Sequence, residues 1–225
     1  MLKKLLKNAH KQIKKQKWTF ERLEIEAVLE RPLYVVDDIY LDGLIFHEQQ
    51  RYYFGSDYYN FNQVNQKDDL NFNLKIPIKW DRKNKIYLAS KGYWDSEIVF
   101  INKFRKRFDD HHAEKWIKTP KGKIRTSMGK FKNIDQPKKM ILTNSIKWIV
   151  IADKNALRKL LNNITAIGKK KAQGDGMVAK WLIRPTTKKG LRVFPCSKKQ
   201  TQKYQPVRPS YHDFTKSVYC KLDKF

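Results

Sequence analysis

Between Ile146 and Ile183 the chain changes its periodicity three times, and that order of changes restricts the fold more than any other stretch. Ile146, Trp148 and Val150 share one face of an alternating run that also holds Ile149 and Ile151, the pattern of a strand ending at Ala152. Asp153 is placed to cap a helix, and Ala156, Leu157, Leu160, Leu161 and Ile164 line one face of it. The nine residues Gly168 to Gly176 then contain three lysines, Lys169, Lys170 and Lys171, and three glycines, Gly168, Gly174 and Gly176. A second strand follows over Met177 to Ile183. Glycine admits positive φ and close approach of the backbone to a phosphate. Lysines beside exposed N–H groups make such a loop fit to hold a phosphodiester chain. A tight turn with solvated lysines satisfies the same residues, so the loop alone leaves both readings open.

The first part of the chain repeats the layout. Leu23, Ile25, Ala27 and Leu29 alternate on one face of a half-buried strand that Arg31-Pro32 ends. Asp42 stands as N-cap of a helix carrying Leu44, Ile45 and Phe46 and running to about Phe54. Asp37, Asp38 and Asp42 take turn and cap roles, since no further acidic ligand stands at a metal-binding spacing. Tyr52 to Asn73 reads as an irregular insertion. Leu74 to Trp80 and Lys85 to Ser90 form a hairpin turning at Asp81 to Asn84. Phe100, Phe104 and Phe108 alternate with Lys103, Arg105, Lys106 and Arg107, as in an amphipathic helix or strand end with a cationic face. Lys115 to Lys139, broken by Gly122, Gly129 and Pro137, reads as a long loop or β-arm with further cations at Lys123, Arg125, Lys130 and Lys132.

The predicted architecture is α+β: a ferredoxin-like (RRM-like) βαββαβ domain over 18–184 with a large basic insertion at about 91–140. A basic amphipathic extension, 1–17, precedes it, with Leu2, Leu5, Leu6, Ala9 and Ile13 at helical spacing. This extension suits a solvated arm, an RNA or partner contact, or a membrane surface. Residues 185–225, with prolines at 185, 195, 206 and 209, are expected to be an irregular tail packed on the same domain. Cys196 and Cys220 form no CxxC pair, which argues against zinc and allows one disulfide. No apolar run approaches the roughly 20 residues of a membrane span, and the N-terminus lacks the features of a signal peptide. A cytoplasmic location is expected.

Charge selects the partner class. The 225 residues carry 49 basic and 22 acidic side chains, a formal charge of +27. Self-repulsion on that scale opposes compaction unless a polyanion offsets it, so nucleic acid is the first partner to consider. Tyr93, beside Trp94 and the basic run, is the candidate for base stacking.

Several local patterns resemble a known family. These are Arg31-Pro32 with Tyr40-Leu41-Asp42-Gly43-Leu44-Ile45, Ile86 to Ser90 with Trp94, Ile167 to Val178 with Trp181, and Arg208-Pro209-Ser210-Tyr211 with Cys220. In that order they resemble the RAMP-superfamily subunit of type IV CRISPR effector complexes that caps the 5′ handle of the guide RNA. The resemblance covers about residues 22 to 222. It implies a non-catalytic subunit without cofactor or metal, bound to crRNA beside a backbone filament subunit and a large subunit, with target DNA within reach. Asp175 departs from the pattern, because a carboxylate repels phosphate. It is expected to point away from RNA or to cap the loop. Related RAMP proteins include metal-independent RNA endonucleases, so His10, His47, His111, His112 and His212 keep an enzymatic alternative open. A generic basic RNA- or DNA-binding protein is the other alternative.

Overall fold

A computed structural model describes residues 16–35, 38–55, 75–95, 98–107, 127–128, 132–209, 211 and 217–225. The fold is α+β, mostly sheet, with two α-helices among the described residues. Strand β1 (Glu21–Leu29) is central, because alternation buries Leu23, Ile25 and Ala27 on one face and leaves Glu24 and Glu26 on the other. It pairs antiparallel with β7 (Ser145–Ala152) and β8 (Val178–Pro185). Leu23 faces Val150 and Ile25 faces Trp148, so the apolar faces of the two strands coincide.

The helices α1 (Leu41–Phe54) and α2 (Lys154–Leu161) cover that face. Leu41 and Ile45 from α1, and Leu157 and Leu161 from α2, join the sheet residues in one core. Asp153 caps α2 by accepting from the Ala156 N–H at 2.9 Å, as its position suggested. Trp181 on β8 donates its indole N–H to the Ile164 carbonyl at 2.9 Å, fixing the chain where α2 ends. Asp42 is not the cap of α1: Tyr40 occupies that position, and Asp42 is fully buried.

Beyond β7 the sheet continues as single bridges. Ile78 pairs with Ala152, Ala89 with Val150 and Tyr93 with Lys147, all antiparallel. Between the first two of these bridges, β3 (Trp80–Asp81) and β4 (Ile86–Tyr87) make the small predicted hairpin. Its turn is held by Asp81, which accepts from the N–H groups of Lys83 and Asn84.

The described ends of the insertion pair as a β-arm. β5 (Ile98–Lys106) and β6 (Ile134–Leu142) pair from Ile98↔Leu142 to Lys106↔Ile134. Phe100 and Phe104 thus lie on a strand and not a helix, and Phe108 lies outside the described residues. Ile98, Val99, Phe100 and Ile101 favour extended backbone, and a full ladder outweighs the four-residue phenylalanine spacing. β2 (Leu33–Tyr34) borders β6 only at Met140 and Ile141, so Pro137 sits where its missing N–H costs no ladder bond on that side.

The C-terminal segment corrects the expectation of an irregular tail. β9 (Leu191–Pro195), β10 (Lys203–Pro206) and β11 (Ser217–Lys224) form an antiparallel sheet in the order β10-β11-β9. Its prolines end the strands: Pro185, Pro195 and Pro206 are the last residues of β8, β9 and β10. A second core of Tyr40, Ile86, Val193, Val207 and Cys220 joins this sheet to the main body. Cys196 and Cys220 are free thiols.

A buried polar cluster fastens the C-terminal sheet to α1. Arg192 on β9, 0% exposed, donates to Asp42 Oδ2 at 2.9 Å and to the carbonyls of Ala89 and Val207 at 2.5 and 2.8 Å. The Tyr211 hydroxyl donates to Asp42 at 2.8 Å, and its ring stacks on Tyr40 with centroids 4.9 Å apart. A Cβ on Gly43 would lie 3.1 Å from the Tyr211 ring.

Candidate nucleic-acid interface

The glycine-lysine loop follows α2 and is closed by its own backbone. Gly168, Gly174 and Gly176 have φ of 84, 83 and 64°, and Lys170 has φ 59°. Two glycines are required by contacts inside the protein. A Cβ on Gly176 would lie 2.1 Å from the Ile167 carbonyl oxygen, and one on Gly168 would lie 2.7 Å from that of Tyr34. The N–H groups of Lys169 and Gly176 donate to Tyr34 and Pro32, both at 2.9 Å. Those of Gln173 and Gly174 donate to Lys170 and Lys171 at 2.8 and 2.9 Å. These four N–H groups are engaged within the chain.

Lys169, Lys170 and Lys171 are exposed. Lys170 reaches across to β5, its ammonium 4.4 Å from the centre of the Phe104 ring. That contact joins the loop to an arm strand distant in sequence.

Arm and loop border an open groove of about 860 Å³, lined by Arg31, Lys103, Phe104, Arg105, Lys138, Gln173 and Asp175 with Ile101 and Asn102. Asp175 faces Lys138 at 2.7 Å, and Lys138 also donates to Gln173 at 3.3 Å. The carboxylate that departs from the expected pattern is therefore paired with a cation of the arm. Arg105 lies 3.5 Å from Asp135 across the ladder, both exposed.

Of the residues expected to bind RNA, Lys103 and Arg105 line the groove and Lys170 reaches Phe104 on its wall. Lys106, Arg107 and Lys132 are exposed near the far end of the arm. Lys123, Arg125 and Lys130 lie outside the described residues, as do His10, His111, His112, His212, most of the 1–17 extension and most of the Tyr52 to Asn73 insertion. Tyr93 stands elsewhere: it pairs with Lys147, and its hydroxyl donates to Glu24 at 2.9 Å. Trp94 packs against the main core. Sequence reasoning missed Arg31, Lys138 and Gln173. Arg31 had a signal, since it precedes the proline that ends β1, whereas nothing in the sequence sets Lys138 apart from its neighbouring lysines.

The outward face of the main sheet is occupied by ion pairs. Glu24 meets Lys188 and Glu26 meets Arg184, both at 2.9 Å, and Lys147 meets Asp95. Carboxylates at its centre make this face a poor site for a polyanion.

His47 on α1 is half-buried. Burial, with the charges of Lys171 and Arg51, pushes its pKa down to about 4. It is neutral at pH 7 and a poor general acid there. His47→Ala is expected to leave the length of copurified RNA unchanged on a denaturing gel, and the His47 ring to titrate near pH 4 by NMR. A longer RNA bound to the folded variant would restore the enzymatic reading.

The family model for the CRISPR type IV associated protein Csf3 matches residues 76–220. No curated protein matches the chain.

Proposed function

Because the chain belongs to the Csf3 family, and so is a subunit of a type IV CRISPR effector, we propose that it grips the 5′ repeat-derived handle of the guide RNA in the groove between β-arm and glycine-lysine loop. The observation that carries this reading is the convergence of Arg31, Lys103 and Arg105 with the loop, tied across Phe104 by Lys170. Cations along an open groove suit a phosphodiester backbone. On this reading the protein acts by binding and does not cut RNA, and the depressed pKa of His47 disfavours that histidine as a general acid.

The sheet order supports a ferredoxin-like reading of the core. With the bridged segment 78–93 as the outer strand, the order is β8, β1, β7 and 78–93, with α1 and α2 on one face. The β5–β6 arm is then the central insertion, as in a RAMP protein. Exposed Ile98, Val99, Ile101 and Leu142 on the arm offer apolar surface to a neighbouring subunit, such as the backbone or large subunit.

Changing Lys169, Lys170 and Lys171 together to Ala tests the assignment. The variant is expected to fold and to bind a handle RNA more weakly, with the slope of log K against log salt smaller by about 2. Unchanged affinity in the folded variant sinks the reading.

A further inference from the structure

We propose that the outward face of the C-terminal sheet is a second nucleic-acid surface, on which Tyr204 and Tyr219 stack bases of a single strand. Tyr204 on β10 and Tyr219 on β11 are directly paired in the ladder, with ring centroids 5.0 Å apart. They are 63% and 37% exposed. Alternation along β11 sends the next residue, Cys220, into the second core, so Tyr219 faces outward by register.

Two adjacent rings left in water forgo the burial that large aromatic side chains ordinarily gain, and a flat ligand restores it. The surrounding charge identifies that ligand. Lys221 follows Tyr219 on the same face, and Lys198 and Lys199 lie in the short turn before β10. Across β9, β10 and β11 the one acidic residue is Asp223, which lies 3.6 Å from Lys221. An exposed aromatic pair rimmed by lysines matches the alternating faces and phosphates of a single-stranded nucleic acid. None of these residues lines the groove, so this surface is independent of the handle site.

The test measures binding of labelled oligo(U) and oligo(dT) to the full chain. Tyr204→Leu with Tyr219→Leu is expected to weaken binding about 5-fold or more, whereas the Tyr→Phe pair, which keeps both rings, binds like the parent. Loss confined to oligo(U) identifies guide RNA as the source, and loss confined to oligo(dT) identifies DNA. Unchanged affinity for both oligonucleotides in the folded leucine variant overturns the proposal, including when that variant loses binding to another protein subunit. Crosslinking a 4-thiouridine oligonucleotide to the parent protein needs no variant. Crosslinks at peptides bearing Tyr204 or Tyr219 support the surface, and crosslinks confined elsewhere overturn it. The triple-lysine loop variant is expected to keep these crosslinks, which separates failure of this proposal from failure of the groove.

Discussion

Arg192→Ala is expected to lower the unfolding free energy by about 3–5 kcal/mol, measured by urea denaturation. The cause is the group left behind. Asp42 is buried at 0% exposure, and Arg192 supplies it with a guanidinium N–H at 2.9 Å. Removing the guanidinium leaves a buried carboxylate with the Tyr211 hydroxyl, and strips the Ala89 and Val207 carbonyls of a donor. Burial already pushes the Asp42 carboxyl above its ordinary value, against the pull of Arg192 and Tyr211, and the variant pushes it further. A raised folded pKa means that the folded state holds the proton more tightly than the unfolded state. The variant's deficit is therefore expected to grow as pH rises through the folded pKa and to shrink toward about pH 4, the ordinary carboxylate value. Replacing both partners by apolar residues, Asp42→Leu with Arg192→Met, is expected to recover part of the loss, because no lone charge remains. A single variant within about 1 kcal/mol of the parent contradicts this account.

Handle binding is expected to depend steeply on salt. If about six phosphates are neutralised, the single-strand slope of about −0.7 per phosphate gives roughly −4 in log K against log salt. Raising salt from about 50 to 200 mM then weakens binding roughly 300-fold. A fluorescence-anisotropy titration across that range reads the slope directly, and a value near zero removes phosphate contacts from the interface.

The elements that read clearly from sequence are those in which one face meets the core. Leu23, Ile25 and Ala27 on β1, and Ile146, Trp148 and Val150 on β7, alternate because their strands bury one face. The C-terminal sheet read as irregular because β9 and β10 are short edge strands ended by proline, and β11 carries lysines among its apolar residues. The loop was legible as a cluster of glycine and lysine, but the use of those glycines was not: Gly168 and Gly176 yield space to backbone carbonyls of the protein. Partners distant in sequence left no local trace. Asp42 resembled a cap because only the fold brings Arg192 and Tyr211 to it.

The pairing of Lys138 with Asp175 shapes what a strand would meet in the proposed groove. Lys138 is almost wholly buried and its charge is matched by a carboxylate 2.7 Å away, while Arg31 and Lys103 remain along the lining. The most buried charges of the lining thus offset each other, while exposed cations remain beside them. A duplex, with phosphates on its whole outer surface, would gain little from such an offset pair. In the proposed binding role, a single strand would set its phosphates against Arg31 and Lys103 and turn its bases toward the offset pair, a preference for unpaired over paired nucleic acid that needs no base to be read.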